Sequence, residues 1–277
     1  MDHGGGGMRA DVEPGVSFGD LERWFLGGLE RPWRDTQLLC LPHSGGNASS
    51  YRAWLTAVDA AGVDVVPVQL PGRETRLTEP PYTDHATLVG DLARVVERAG
   101  FPRVALFGHS MGAVLSVNLC RALEEIGVPV AHVFVSGHGG PSQRPASTFP
   151  TDASDETILD ALGATGAPNY EGLLRYPELR DMVLRVIRAD LGVVLTGMVA
   201  GPPVQAPITV LNGEDDPTPA GSEDLAEWAE VTKGAWASHR LPGGHFYLVE
   251  QGEAVAGVIR AALAAESAHR RTESRNA

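Results

Sequence analysis

A chain of 277 residues, 43% hydrophobic and 21% charged, has the size and composition of one globular domain able to bury a full core. Its formal charge of -13 argues against nucleic acid as the main partner, because phosphate backbones are drawn to basic surfaces. No window approaches the about 18 continuous apolar residues of a membrane span. The acidic start, with glycines at 4–7, lacks the apolar stretch of a secretory signal. A cytoplasmic, monomeric protein with no membrane association is expected.

Residues 1–19 are Gly-rich and acidic and are expected to be disordered, with Met1 and Met8 both available as starts. Residues 37–41 form a short apolar strand ending at Pro42, and Cys40 in it, like Cys120 later, reads as a buried free thiol. His43-Ser44-Gly45-Gly46-Asn47 is a Gly-rich loop opening a helix near 51–60. A second strand over 63–70 is interrupted by Pro67, which marks an edge or bulge. Residues 73–84 form a polar loop with Arg73 and Arg76, followed by a helix over 85–99.

The apolar run Val104-Ala105-Leu106-Phe107 then leads into Gly108-His109-Ser110-Met111-Gly112, a G-x-S-x-G pattern. Apolar residues at helical spacing continue over 113–126, and Gly127 stops them. A serine between a buried strand and a helix is raised on a tight turn at the helix N-terminus, where free N–H groups favour a developing negative charge. Its glycines let strand and helix pass without a β-carbon between them.

A strand over 130–136 follows. Residues 143–204 contain no good strand; they start with Pro/Ser/Thr-rich loops and offer helices near 155–162 and 178–198, reading as an insertion that forms a lid. The sheet resumes at 208–211, a helix is expected over 222–231, a strand ends at Leu241, and a closing helix spans 246–265. The organisation expected is a disordered 1–19, an α/β core over 20–142 and 205–266, a helical lid over 143–204, and a disordered tail over 267–277. The mostly parallel sheet flanked by helices and the serine elbow define an α/β-hydrolase fold.

A serine nucleophile needs an imidazole to take its proton and a carboxylate to fix that imidazole. In this fold the chain order is Ser, acid, His. His245, in a glycine loop after the last strand, is the candidate base; His132, His138 and His239 are tied to strands and read as structural. The acid should leave the preceding strand, where Gly213-Glu214-Asp215-Asp216-Pro217 points to Asp216, with Asp215 the alternative. The oxyanion donors expected are the backbone N–H of Met111 and that of Ser44 or its neighbour Gly45, although the 43–47 loop also reads as a plain glycine turn. His109 reads as packing beside the pocket.

With these motifs in hand, the chain resembles the type II thioesterases that accompany polyketide synthases and nonribosomal peptide synthetases. The likeness rests on Leu41-Pro42-His43-Ser44-Gly45-Gly46, on Gln69-Leu70-Pro71-Gly72-Arg73 with Arg76 and Glu79-Pro80-Pro81, on the Ser110 elbow, and on Arg188-Ala189-Asp190. Gly213–Pro217 and Gly243-Gly244-His245-Phe246 complete it. The resemblance implies hydrolysis of stalled acyl groups from the phosphopantetheine arm of acyl or peptidyl carrier proteins. It implies the triad Ser110, Asp216 and His245, and no metal or redox cofactor. His43, Arg73, Arg76 and His109 are candidate substrate or carrier contacts, the two arginines equally readable as structural ion pairs. The chain departs from the family at Ser44, often alanine, and after Asp190 in the lid. Alternatives are an acyl-CoA thioesterase or carboxylesterase with the same triad, and a silent hydrolase-fold binding protein.

Overall fold

Six strands, β1 (Thr36–Leu41), β2 (Val63–Pro67), β3 (Val104–His109), β4 (Val130–Ser136), β5 (Ile208–Gly213) and β6 (Trp236–Leu241), pair in parallel in the order β2-β1-β3-β4-β5-β6. The computed structural model describes residues 21–26, 33–58, 62–141, 152–199, 201–218 and 225–276. The expected disordered segment 1–19 and the Pro/Ser/Thr-rich stretch 143–151 lie outside the described residues. Helices α1 (Trp54–Ala57), α2 (His85–Ala99), α3 (Met111–Glu125), α4 (Asp155–Ala164), α5 (Tyr170–Arg175), α6 (Pro177–Thr196), α7 (Tyr247–Glu250) and α8 (Gly252–Asn276) occupy the connections and the C-terminus.

The inner strands are apolar along their length because helices cover both faces of the sheet. Leu39, Leu41, Leu106, Val133 and Val210 face α2 and α3, whose Leu88, Leu92, Leu115 and Leu119 join the same core. Leu38, Cys40, Phe107, Phe134 and Leu211 face the other way, toward Trp54 of α1 and Val255, Ile259 and Leu263 of α8. Both cysteines are buried free thiols, with burial raising the thiol pKa of each. Helix α2 is capped by Asp84, whose side chain accepts from the Thr87 N–H, and it ends at Gly100 in the left-handed conformation.

The topology places the site. From β1 the chain moves outward to β2, then crosses back over β1 to enter β3. The loops leaving β1 and β3 therefore diverge at the carboxyl edge and open a crevice between them. Leu41 pairs with Gly108, which brings the loop at His43 beside the turn at Ser110.

Gly108 and Gly112 make that junction possible. A β-carbon on Gly108 would overlap the Gly112 carbonyl, and one on Gly112 would overlap the Leu41 carbonyl oxygen. Gly108→Ala is accordingly expected to cost about 3 kcal/mol or more, read as a loss of soluble protein or a lower denaturant midpoint. A midpoint unchanged from wild type would show that strand and helix can move apart.

Several expectations are corrected. The helix expected over 51–60 is a 3₁₀ turn at Ala48–Tyr51 followed by the single turn α1, because Tyr51 and Trp54 are pinned against Phe107. Strand β2 stops at Pro67 rather than running to residue 70, and Val68 instead bridges antiparallel to Phe25; β2 is the sheet edge, where a residue without an N–H is tolerated. The helix expected over 222–231 is a 3₁₀ stretch at Leu225–Val231, with residues 222–224 outside the described ones. The closing helix is divided at Gln251 into α7 and α8. Helix α8 runs on to Asn276, so most of the tail expected to be disordered over 267–277 is helical; an alanine-rich run with little to break it continues the helix its buried stripe begins.

Between β4 and β5 the described residues contain no strand, only an isolated bridge from Val204 to Thr232. Helices α4 and α6 share a small core of Ile158, Leu184, Ile187 and Leu191. The end of α6 is tied to the start of α2, where the His85 N–H donates to Thr196 Oγ1 at 3.0 Å. No described helix is long and apolar enough to cross a membrane.

Candidate active site

Ser110 adopts φ 55° and ψ −113°, a conformation that costs a non-glycine residue about 1–3 kcal/mol. The backbone is held in it from both sides: the Ser110 N–H donates to the Ser136 carbonyl at 2.8 Å, and the Ser110 carbonyl accepts from the Ala113 N–H at 2.9 Å. The side chain is left half-exposed at the start of α3.

The loops after β5 and β6 are laced together. The Glu214 N–H donates to the Leu241 carbonyl and the Asp215 N–H to the Gly243 carbonyl, at 2.9 and 3.0 Å. This turns Asp216 inward, where its Oδ2 lies 2.8 Å from His245 Nδ1 and its Oδ1 accepts the Thr218 N–H at 2.9 Å. Burial on its own would raise the Asp216 pKa; the bonds from His245 and Thr218 outweigh it and hold the carboxyl below its usual range. With Nδ1 facing this carboxylate, Nε2 is the His245 ring nitrogen left to exchange a proton with other groups. Asp215 points to solvent. Asp215→Asn is therefore expected to change kcat/KM by less than about twofold, whereas a large loss would make Asp215 the partner of His245.

The His245 ring packs 4.9 Å from the ring of His109, the residue preceding Ser110, and 5.0 Å from Phe246. Ser110 Oγ makes no hydrogen bond to His245 in this state; such contacts commonly tighten only around substrate. His109 is fully buried, its Nδ1 hydrogen-bonded to Ser136 Oγ at 2.9 Å, and Ser136 Oγ to the Tyr247 hydroxyl at 2.8 Å. Loss of hydration holds its imidazole well below the usual value, with His245 and His43 acting the same way, so His109 is a neutral packing element.

On the other side of the crevice, Gly45 at φ 73° turns the loop after β1. The Gly46 N–H closes the turn on the His43 carbonyl at 2.9 Å, and the Gly45 N–H donates to Asp190 Oδ2 at 2.8 Å. Of Ser44 and Gly45, only Ser44 keeps a free backbone donor. His43 itself bonds through Nδ1 to the Ser44 carbonyl and sets its ring 4.9 Å from Phe246; desolvation, opposed by that bond, pushes its pKa down to about 4.

Arg73 and Arg76 are not where a docking surface needs them. Both are 6% exposed: Arg73 pairs with Asp190 at 2.7 Å, and Arg76 pairs with Glu79 at 2.7 Å while its guanidinium lies over the Trp24 ring. Both arginines are therefore structural ion-pair partners, Arg73 within the protein and Arg76 beneath a partly exposed Glu79, and they form no basic docking patch.

Reading the sequence alone gave no role to Asp190, Ser136 or Tyr247. A signal existed for Asp190, a carboxylate among Ile187, Leu191 and Val194 on the apolar stripe of a helix, which is costly unless paired. Ser136 and Tyr247 lie 111 residues apart and carry no local pattern that joins them.

A strained serine turn after the third strand of a parallel sheet, with an acid–imidazole pair on the loops of its last two strands, defines the α/β-hydrolase class. The family model described as a thioesterase domain matches residues 36–263. The chain belongs to the thioesterase family. It is 34% identical over 230 residues to a probable cadicidin biosynthesis thioesterase of Streptomyces griseus, covering 82% of this chain and 62% of that one. It is 30% identical to the gramicidin S biosynthesis protein GrsT of Aneurinibacillus migulanus, covering 83% and 90%. Among solved structures, the type II thioesterase BorB from the borrelidin biosynthetic cluster is 35% identical with a TM-score of 0.73, covering 84% of this chain and 95% of BorB. RedJ, the thioesterase of the prodiginine pathway in Streptomyces coelicolor, is 30% identical with a TM-score of 0.74, covering 83% and 86%.

Proposed function

We propose that this thioesterase is an editing enzyme of a polyketide or nonribosomal peptide pathway, clearing stalled acyl groups from the phosphopantetheine arm of carrier proteins. The observation that carries the reading is the Asp216–His245 pair beside the Ser110 elbow, in a chain 35% identical to a type II thioesterase over most of its length.

In the first step Ser110 Oγ attacks the thioester carbonyl while His245 Nε2 takes its proton; Asp216 holds Nδ1–H and stabilises the imidazolium. The N–H groups of Ser44 and Met111 receive the oxyanion. The C–S bond breaks, and the pantetheine sulfur leaves with the proton from His245. Water then gives a proton to His245 and attacks the acyl-serine, the tetrahedral intermediate collapses, and Ser110 recovers its hydrogen. This chemistry calls for no metal or redox cofactor. The insertion over 143–204 acts as the lid over the acyl group, and the carrier protein docks without help from Arg73 or Arg76, whose charges are internal.

The test is thiol release from an acyl carrier protein and from the matching acyl-CoA, alongside hydrolysis of a simple aryl ester. Preference for the carrier-bound substrate is expected. Equal or better turnover of the ester would replace the editing reading with a general esterase.

A further inference from the structure

Asp190 lies 2% exposed on the inner face of α6, and no step of the proposed reaction uses it. A buried carboxylate must be paid for by its partners. Arg73 meets it in a two-pronged pair, Nη2 to Oδ1 at 2.7 Å and Nη1 to Oδ2 at 3.0 Å. The remaining donor is the Gly45 N–H, 2.8 Å from Oδ2, and Arg73 Nη1 also donates to the Gly46 carbonyl at 2.8 Å. The ion pair thus grips the loop after β1 at two peptide groups, the one that carries the Gly45 N–H and the one that carries the Gly46 carbonyl. Nothing separates that loop from α6: a β-carbon on Gly45 would stand 2.7 Å from Ile187 Cγ1.

The consequence follows from counting donors. With the Gly46 N–H taken by the turn and the Gly45 N–H taken by Asp190, Ser44 is the one of these three residues whose N–H is left free. Moving Asp190 away would free the Gly45 N–H and release the plane of the peptide that carries it. We propose that Asp190 is a positioning residue for the oxyanion hole: it captures the Gly45 N–H, Arg73 holds the Gly46 carbonyl, and the Ser44 N–H is thereby aimed at the acyl oxygen. Because Asp190 belongs to α6, the hole is complete only while that lid helix is seated on the loop. This rests on the reading of Ser44 as an oxyanion donor in the proposed hydrolysis.

A buried ion pair that only holds two elements together can often be replaced by apolar side chains of similar size without loss of stability. The full-length variant Arg73→Met/Asp190→Leu makes that replacement and removes the acceptor of the Gly45 N–H. It is expected to unfold at a temperature close to wild type and to keep KM within about threefold, with kcat about 100-fold lower. Labelling of Ser110 by a fluorophosphonate, whose phosphoryl oxygen uses the same hole, should slow to a similar degree. Arg73→Met/Asp190→Asn restores a neutral acceptor and should recover kcat to within about tenfold of wild type.

Wild-type kcat and labelling rate in the Met/Leu variant would overturn the proposal, as would no recovery in the Met/Asn variant. Should the Met/Leu variant not fold, Arg73→Met/Asp190→Ala is the test, since it too leaves the Gly45 N–H without an acceptor; a wild-type labelling rate overturns the proposal there too. If wild-type enzyme is labelled but hydrolyses no thioester, the editing reading fails while the labelling comparison still decides this one.

Discussion

Ser110→Ala is expected to lower kcat for thioester hydrolysis by about 10⁴-fold or more, leaving the fold and the melting temperature essentially unchanged. The substitution removes one exposed oxygen from a turn whose geometry is fixed by backbone bonds to Ser136 and Ala113 and by the glycines on either side, so little stability rides on the hydroxyl. In the proposed reaction what disappears is the nucleophile, and with it the use of every other group in the site. Asp216→Asn should be nearly as damaging, at roughly 10⁴-fold, because an amide facing His245 Nδ1 can stabilise the wrong tautomer and no longer balances the imidazolium. Since the three groups act as a unit, Ser110→Ala/Asp216→Asn should be no slower than Ser110→Ala alone. Initial rates of thiol release, with intact-mass detection of an acyl adduct on wild type and none on the alanine variant, check both points. A Ser110→Ala enzyme retaining even about 1% of wild-type kcat would assign the nucleophile elsewhere.

The elements most legible in the sequence were those whose pattern is local. The stretch Val104 to Glu125 passes from an unbroken apolar run, through a glycine-flanked serine, into a helical period, and it folds as β3, the turn and α3. Helix α2 was bounded by its own cap and its terminal glycine. Asp216 and His245 were legible because chain order in this fold puts them on successive loops, and the Gly213–Pro217 pattern with the resemblance favours Asp216 over Asp215; the backbone lacing between the two loops is what turns one carboxylate in and the other out.

The failures are long-range. Of the two readings open for Arg73 and Arg76, the structural ion pair holds; the partner of Arg76, Glu79, lies three residues on, but nothing near Arg73 in sequence announces a partner 117 residues away. The short α5, the 3₁₀ turns and the break at Gln251 span too few residues for a period to register. The tail over 267–277 reads as disordered from its polar composition, although charged residues at a helix end are compatible with continuation of α8.

Acidification from pH 7.5 to 5 is expected to remove on the order of 4 kcal/mol of stability through His132 and His138 alone, two histidines that do no chemistry. Burial pushes the imidazoles of His132 and His138 down to about 4, the second slightly offset by a bond to the Gly139 carbonyl, and His109 lies well below the usual value for the same reason. In the unfolded chain these rings titrate near about 6.5. Between about 6.5 and 4 the unfolded state therefore binds protons that the folded state refuses, so stability rises with pH across this window and is complete above it. At pH 5 His132 and His138 each cost roughly 2 kcal/mol, and this pair alone reaches a large share of an ordinary domain's total of about 5–15 kcal/mol. Asp216 extends the loss further down: its carboxyl is held below the unfolded value, so its contribution is present above about 3.9 and vanishes as pH falls through the folded value. Urea denaturation at pH 7.5, 6 and 5 measures the slope. His132→Leu should flatten it by about 2 kcal/mol at pH 5, since His132 holds Thr209 through Nε2 while Nδ1 stays unpartnered and gains nothing from a proton. A denaturation midpoint that does not move between pH 7.5 and 5 would mean that the folded protein accepts protons on these rings, and that the interior around them opens to water far more readily than their burial implies.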